Sequence, residues 1–278
     1  MATSKKDDRA HAKPSTGEQA DRVEEKSTPA TPVIYEIVRR VGEEEMARPA
    51  FSLWWSGVAA GLSISFSVLA EAILRMHLPD TSWRPLVTSL GYPVGFLMVV
   101  LGRQQLFTEN TITVVLPVMA KPTAAKFVCA SRMWAIVLVA NLVGTLCAAL
   151  FCIHTPSIGP QVRAAMLELS RESMQHGWIE MGFRGVTSGF LMAAMVWLIP
   201  AAGVAQFRIV ALITYLIGVG GFAHIISGSV YAFLLVANGD MSVLSMLGGF
   251  TLPVLLGNIV GGTVLFALLS HAQVMKEI

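Results

Sequence analysis

Residues 209–239 read IVALITYLIGVGGFAHIISGSVYAFLLVANG, and no Asp, Glu, Lys or Arg occurs between Arg208 and Asp240. A helix crosses a bilayer with about 20 consecutive apolar residues, so this stretch is long enough to span. One ionisable side chain, His224, stands near its middle, and an ionisable group at that depth is a functional site by default. Gly218, Gly220, Gly221 and Gly228 crowd the histidine and weaken an unbroken helix there. A lone imidazole at a helix break inside a membrane reads as a pore or transport site.

Composition agrees with that reading. The chain is 54% hydrophobic and only 14% charged, whereas a soluble domain carries about 25% charged residues. It is therefore expected to be an all-α, polytopic membrane protein. Residues 1–32 are rich in Lys, Asp, Glu, Ser and Pro and predict a disordered polar tail. The chain opens polar, so no cleavable signal peptide is expected. Cys129, Cys147 and Cys152 lie in or beside apolar runs without a Cys-x-x-Cys pair. They read as buried small hydrophobes, and neither a metal site nor a cofactor is expected.

Hydropathy gives six spans, roughly 50–75, 86–119, 127–153, 183–203, 206–237 and 243–271. The second and fifth are too long for one straight crossing, and each holds a polar or glycine-rich interruption. Residues 33–48 mix apolar and charged positions at helical spacing and predict an amphipathic interfacial helix before the membrane domain, residues 49–272. Short-loop Lys and Arg place Arg39, Arg40, Arg48, Lys121, Lys126, Arg132, Arg208 and Lys276 on one side. That bias predicts both termini, including the short stretch 273–278, in the cytoplasm. His77, His154, His176 and His271 fall near span ends and read as interfacial or loop residues.

Two segments look alike: Gly257-Asn258-Ile-Val-Gly261-Gly262 and Ala140-Asn141-Leu-Val-Gly144. Their asparagines are 258 − 141 = 117 residues apart, and Thr108 and His224, at the two interruptions, are 224 − 108 = 116 apart. The near-equal offsets predict a duplicated three-span unit, and an odd number of spans makes the second copy inverted. Inverted repeats with broken helices place their sites near the midplane. The interruption in the second span reads Arg103-Gln-Gln-Leu-Phe-Thr108-Glu109-Asn110-Thr111. Thr108 or Asn110 is expected to start the half-helix that follows, and Arg103 to pair with Glu109, because burying either charge alone is costly.

At these residues the chain resembles the formate/nitrite transporter family, over about residues 33–272. The family's Leu-Phe-Thr loop stands as Leu106-Phe107-Thr108, its Gly-Phe-Glu-His motif as Gly221-Phe222-Ala223-His224, and its Gly-Asn box as Gly257 to Gly262. The run 104–119, with Lys121-Pro-Thr123 and Ser270-His-Ala-Gln273, is similar to the YfdC-type branch. The resemblance implies an aquaporin-like fold and a homopentamer with one pore per protomer. It implies passage of small monovalent anions such as formate, nitrite, lactate or hydrosulfide, often linked to protons, across a bacterial inner membrane. Carried over by position, His224 is the central pore histidine and Thr108 its hydroxyl partner. Leu106 and Phe107 narrow the pore, Tyr92 and Phe96 face the conduit, and Ile217 stands at a constriction.

The chain also departs from the family pattern. Ala223 replaces the acidic residue before the histidine, Gly228 a downstream Asn, and Gln105 the acidic residue of the loop. No lysine occurs between Lys126 and Lys276, so the vestibule is left to Arg171, Glu172 and Glu180. A carboxylate there repels anions but is able to relay a proton. A neutral-solute pore of aquaporin type fits the missing lysine, yet the chain has no Asn-Pro at all. A membrane enzyme or non-transporting protein is the third class, without nucleotide loop or nucleophile elbow, and nucleic-acid binding has no support.

Overall fold

The computed structural model describes residues 29–277, so the expected polar tail lies almost wholly outside the described residues. Among those residues the chain is all helix, without a strand. The helices are α1 (Thr31–Ala47), α2 (Ala50–His77), α3 (Arg84–Leu101), α4 (Asn110–Ala120) and α5 (Ala124–His154). They continue as α6 (Pro160–Ser173), α7 (Trp178–Ala202), α8 (Gln206–Val219), α9 (Ile225–Asn238) and α10 (Val243–Val274), the last partly π-helical.

Five helical stretches are long and apolar enough to cross a membrane: α2, α3, α5, α10, and the run Trp178–Val219 that contains α7 and α8. The expectation of six counts Trp178–Val219 as two spans, and that run holds two helices, α7 and α8. The 42-residue run bends at Gly203, whose φ of 49° lies in the left-handed region open to glycine. The expected fifth span is two helices, α8 and the short α9.

α1 buries Tyr35, Val38, Gly42 and Met46 at helical spacing. The Tyr35 hydroxyl bonds His271 Nδ1 of α10 at 2.8 Å, and Lys126 of α5 reaches Glu43 at 3.0 Å. The long helices cross where side chains vanish. A Cβ on Gly61 of α2 would overlap the Asn141 carbonyl, and one on Gly144 of α5 the Val58 carbonyl. Gly189 of α7 meets Asn258 and Gly261 of α10 meets Val186 in the same way. Close backbone approach at small residues is how helices associate in lipid, where apolar side chains have no water to escape.

The two breaks share one hydrogen-bond pattern. α3 closes with N–H donation from Gly102, Arg103 and Gln104 to the carbonyls of Met98, Val100 and Val99. α8 closes with Gly220, Gly221 and Phe222 donating to Leu216, Gly218 and Ile217. Both ends turn through a left-handed residue, Arg103 (φ 49°) and Gly221 (φ 61°), as helix C-caps commonly do. An asparagine then clamps each break. Asn141 donates to the carbonyls of Gly57 and Gln105 and accepts from the Phe107 N–H, at 2.8, 2.8 and 2.9 Å. Asn258 donates to Gly185 and Ala223 and accepts from the Ile225 N–H, at 2.9, 3.0 and 2.9 Å.

These contacts set a register different from the one read in the sequence. Matching positions are 221 − 103 = 118 and 225 − 107 = 118 residues apart. His224 therefore matches Leu106, and Thr108 matches Ile226. The 116-residue separation of Thr108 and His224 is a contact across the breaks rather than an equivalence. The expected loop details also change. Asn110 makes no N-cap bond, and Glu109 at the N-terminus of α4 lacks one too. Arg103 is exposed and does not pair with Glu109, because its left-handed backbone turns it away from the loop.

Candidate functional site

The segment after the second break positions the histidine. His224 sits in extended backbone as the N-cap of α9, and its Nδ1 accepts from the Ser227 N–H at 3.1 Å. A backbone N–H can only donate, so Nδ1 carries no proton and Nε2 does. Nε2–H then donates to Thr108 Oγ1 at 2.7 Å. The cap exists only for the neutral ring, since an imidazolium has no acceptor at Nδ1. His224 and Thr108 are both buried, and the edge of the Phe96 ring closes on the imidazole with centroids 5.0 Å apart.

A cavity of about 240 Å³ leads from the α6 side of the protein down to His224. α9 contributes His224, Ser227 and Tyr231 to its wall, three residues on one face of the helix. Tyr92 of α3 faces them and bonds Ser227 Oγ at 2.6 Å. Ile217 of α8 lines the wall below the mouth, and Arg75, Glu172, His176 and Arg184 stand towards the outside.

Of the sequence-derived pore residues, His224, Tyr92 and Ile217 line the cavity. Phe96, Leu106, Phe107 and Thr108 do not. They are buried, Phe96 against Tyr92 and the imidazole, Thr108 on Nε2, and Phe107 on Trp134 with centroids 5.7 Å apart. The vestibule residues divide. Glu172 lines the cavity and pairs with Arg75. Arg171 turns away to Asp240 at 2.6 Å, and Glu180 is held by Arg184 and His176, at 2.8 and 2.9 Å. His176, expected as a loop residue, is one and also lines the cavity. The cysteines are not fully buried as expected: Cys147 is exposed, while Cys129 and Cys152 are half-buried and pack against the core.

The other face of the Thr108 loop is closed by polar groups. Glu45 of α1 accepts from Gln105 Nε2 at 3.1 Å and from Thr113 Oγ1 at 3.0 Å. Burial pushes the Glu45 carboxyl above the usual range, against the pull of those two donors. No cluster of three or more metal-ligating side chains occurs among the described residues.

A family model described as "Formate/nitrite transporter" matches residues 32–272. The chain belongs to the formate/nitrite transporter family. It is 43% identical over 244 residues to the "Inner membrane protein YfdC" of Escherichia coli (strain K12), covering 88% of this chain and 79% of that one. Its fold is that of an "FNT family ion channel", with a TM-score of 0.72 and 22% identity over 87% of this chain and 98% of that one. It is also that of a "Pentameric formate channel with formate bound", with a TM-score of 0.68 and 18% identity over 82% and 98%. Formate/nitrite transporters are transporters and channels, so the cavity belongs to a family built to move solutes.

Among the wall residues of this formate/nitrite transporter that sequence reasoning missed are Glu71, Arg75, Arg184, Ser227 and Tyr231. Glu71 carried a signal, since it is a lone carboxyl within the apolar run of the first span. Ser227 and Tyr231 carried a weaker one, three and seven residues beyond His224 on the same helical face.

Proposed function

We propose that this chain is an inner-membrane channel or transporter for small monovalent anions, or their protonated weak acids, of the formate/nitrite class. The observation that carries this is the cavity ending on His224, whose Nε2–H is bonded to the buried Thr108 hydroxyl behind it. Taking a small anion into an apolar constriction is costly unless it is paired or neutralised. Here the Thr108 hydroxyl accepts from Nε2–H and keeps its own O–H to donate, in place of water, to an anion that passes the imidazole. The positive end of α9 adds a field that favours negative charge beside His224. Arg75 and Arg184 take the place of the absent vestibule lysine, one at the end of α2 and one on α7.

The matching breaks, asparagine clamps and glycine crossings support six spans arranged as an inverted repeat of three, with α3–α4 and α8–α9 as the broken pair. A homopentamer with both termini cytoplasmic fits this reading. It would cover the exposed Phe127, Phe183 and Phe207 with neighbouring protomers or lipid. Passage is linked to protons, because a weak acid crosses a dry constriction most cheaply as the neutral molecule.

Flux into proteoliposomes, with formate, nitrite, hydrosulfide and glycerol at pH 5 and 7.5, tests this. Weak-acid uptake is expected to rise at low pH, and His224→Asn to lower it at least tenfold, or about 1.4 kcal/mol. Glycerol flux alone, or uptake of every anion unchanged in His224→Asn, sinks the proposal.

A further inference from the structure

Two carboxyls line the cavity, Glu71 and Glu172, and a third, Glu180, bonds the wall residues Arg184 and His176. Glu172 accepts from both Nη atoms of Arg75, and Glu180 is paired with Arg184. A carboxylate fixed by a guanidinium is a poor proton carrier, because losing its charge breaks the pair. Glu71 is different. It lies on α2 one turn before Arg75, is buried, and faces the same cavity, but Arg75 reaches past it to Glu168 and Glu172 of α6.

The Tyr231 hydroxyl donates to Glu71 Oε2. Oε1 has no hydrogen bond among the described residues and is not fully sealed, on a side chain that lines the cavity. Tyr231 lies seven residues after His224 on the wall-forming face of α9, which sets Glu71 between the vestibule cations and the imidazole.

We propose that Glu71 is the proton-carrying carboxyl of this cavity, handing a proton to the anion on its way to His224. This rests on the anion-transport reading above. The Glu71 O–H bond breaks and an O–H bond forms on a cargo oxygen. The carboxylate left behind keeps the Tyr231 O–H as donor and regains a proton from water in the vestibule. The neutral acid moves on past the imidazole and releases the proton on the far side. One proton thus travels with each anion.

The other charged and titratable groups around Glu71 fit this role. Tyr92 of α3 and Tyr231 and His224 of α9 line the wall with it. Arg75 of its own helix is engaged by Glu168 and Glu172 of α6, and Arg184 of α7 by Glu180. Arg75 holds the Glu168 carboxyl below the usual range, leaving that group no part in proton exchange. α5 also packs on α2, yet none of its Cys, His, Lys or Arg side chains reaches the cavity wall.

The test uses the full chain in proteoliposomes with formate, an internal pH dye, and external pH of 5 and 7.5. Glu71→Gln is expected to cut formate uptake at pH 7.5 by about tenfold or more. The deficit should narrow at pH 5, where more cargo arrives already protonated, and Glu71→Asp should recover part of the flux. Glu168→Gln, which removes an Arg75 partner that does not line the cavity, should keep one proton per formate. Full uptake and full proton coupling in Glu71→Gln at both pH values overturns the inference.

An independent measurement on the unaltered chain guards against a folding defect. A hydrophobic carbodiimide, which adds to protonated carboxyls, should label Glu71, and formate should protect it. No labelling of Glu71 by peptide mass at either pH overturns the inference as well. If the unaltered chain moves no weak-acid anion, the anion-transport reading fails instead.

Discussion

At the α3–α4 break the chain turns through Arg103, and at the α8–α9 break through Gly221. Each then passes a backbone N–H to an asparagine from another span. Beyond that point the two diverge. The first break faces α1, and Glu45, Gln105, Asn110 and Thr113 knit it shut with side-chain hydrogen bonds. The second opens on the cavity, with Arg184 donating to the Gly221 carbonyl at 2.8 Å and His224 at the floor. One backbone plan thus serves as a closed plug on one side and an open funnel on the other. The difference lies in the side chains laid over the plan.

The largest effect is expected where the two breaks are most alike. Asn141→Leu and Asn258→Leu each strand one N–H and two carbonyls inside the protein, at about 1–3 kcal/mol per group. Each should therefore lose at least about 3 kcal/mol, read as a lower Tm of the detergent-purified protein. Similar losses at both positions support equivalence. A tolerated Asn141→Leu beside a ruinous Asn258→Leu breaks it.

The next effect separates the turns. Gly221→Ala forces a Cβ into left-handed backbone, with Arg184 Nη1 2.9 Å from its position. The expected cost is about 1–2 kcal/mol. Arg103→Gly relieves the same strain and should raise stability by up to about 1 kcal/mol. Thermal melting of the two variants should move in opposite directions.

The smallest concerns the plug. The folded state raises the Glu45 pKa, so it binds more protons than the undocked helix does, and α1 docking weakens as pH rises through that pKa. Amide-exchange protection across Thr31–Ala47, with the base-catalysed intrinsic rate divided out, should fall as pH rises through the raised Glu45 pKa. Glu45→Gln should flatten that trend, while exchange in α9 stays the same in both proteins. A trend that persists in Glu45→Gln places the titration elsewhere.

Much of this was legible in the chain, and the rest was hidden for identifiable reasons. The apolar runs, the interruption at Thr108 and the histidine among glycines follow from local sequence, because membrane backbone must satisfy itself within a few residues. The register of the breaks does not. It depends on which N–H each asparagine takes, and Asn141 and Asn258 reach 34 and 33 residues along the chain to find it. Spacing alone therefore gave Thr108 as the counterpart of His224. The vestibule was harder still. Arg171 looked available on sequence, yet its partner Asp240 is 69 residues away. Glu71 went unread because its donor, Tyr231, lies 160 residues later.

The asparagine clamps have a further consequence. Each ties a break to a neighbouring span rather than to either membrane surface. When the surrounding bilayer thickens or thins, helices commonly answer by tilting or by shifting their flanks. Here the level of the constriction is indexed to Asn141 and Asn258 inside the protein. The protein carries its own depth gauge, and His224 and Thr108 should keep their spacing in membranes of different thickness.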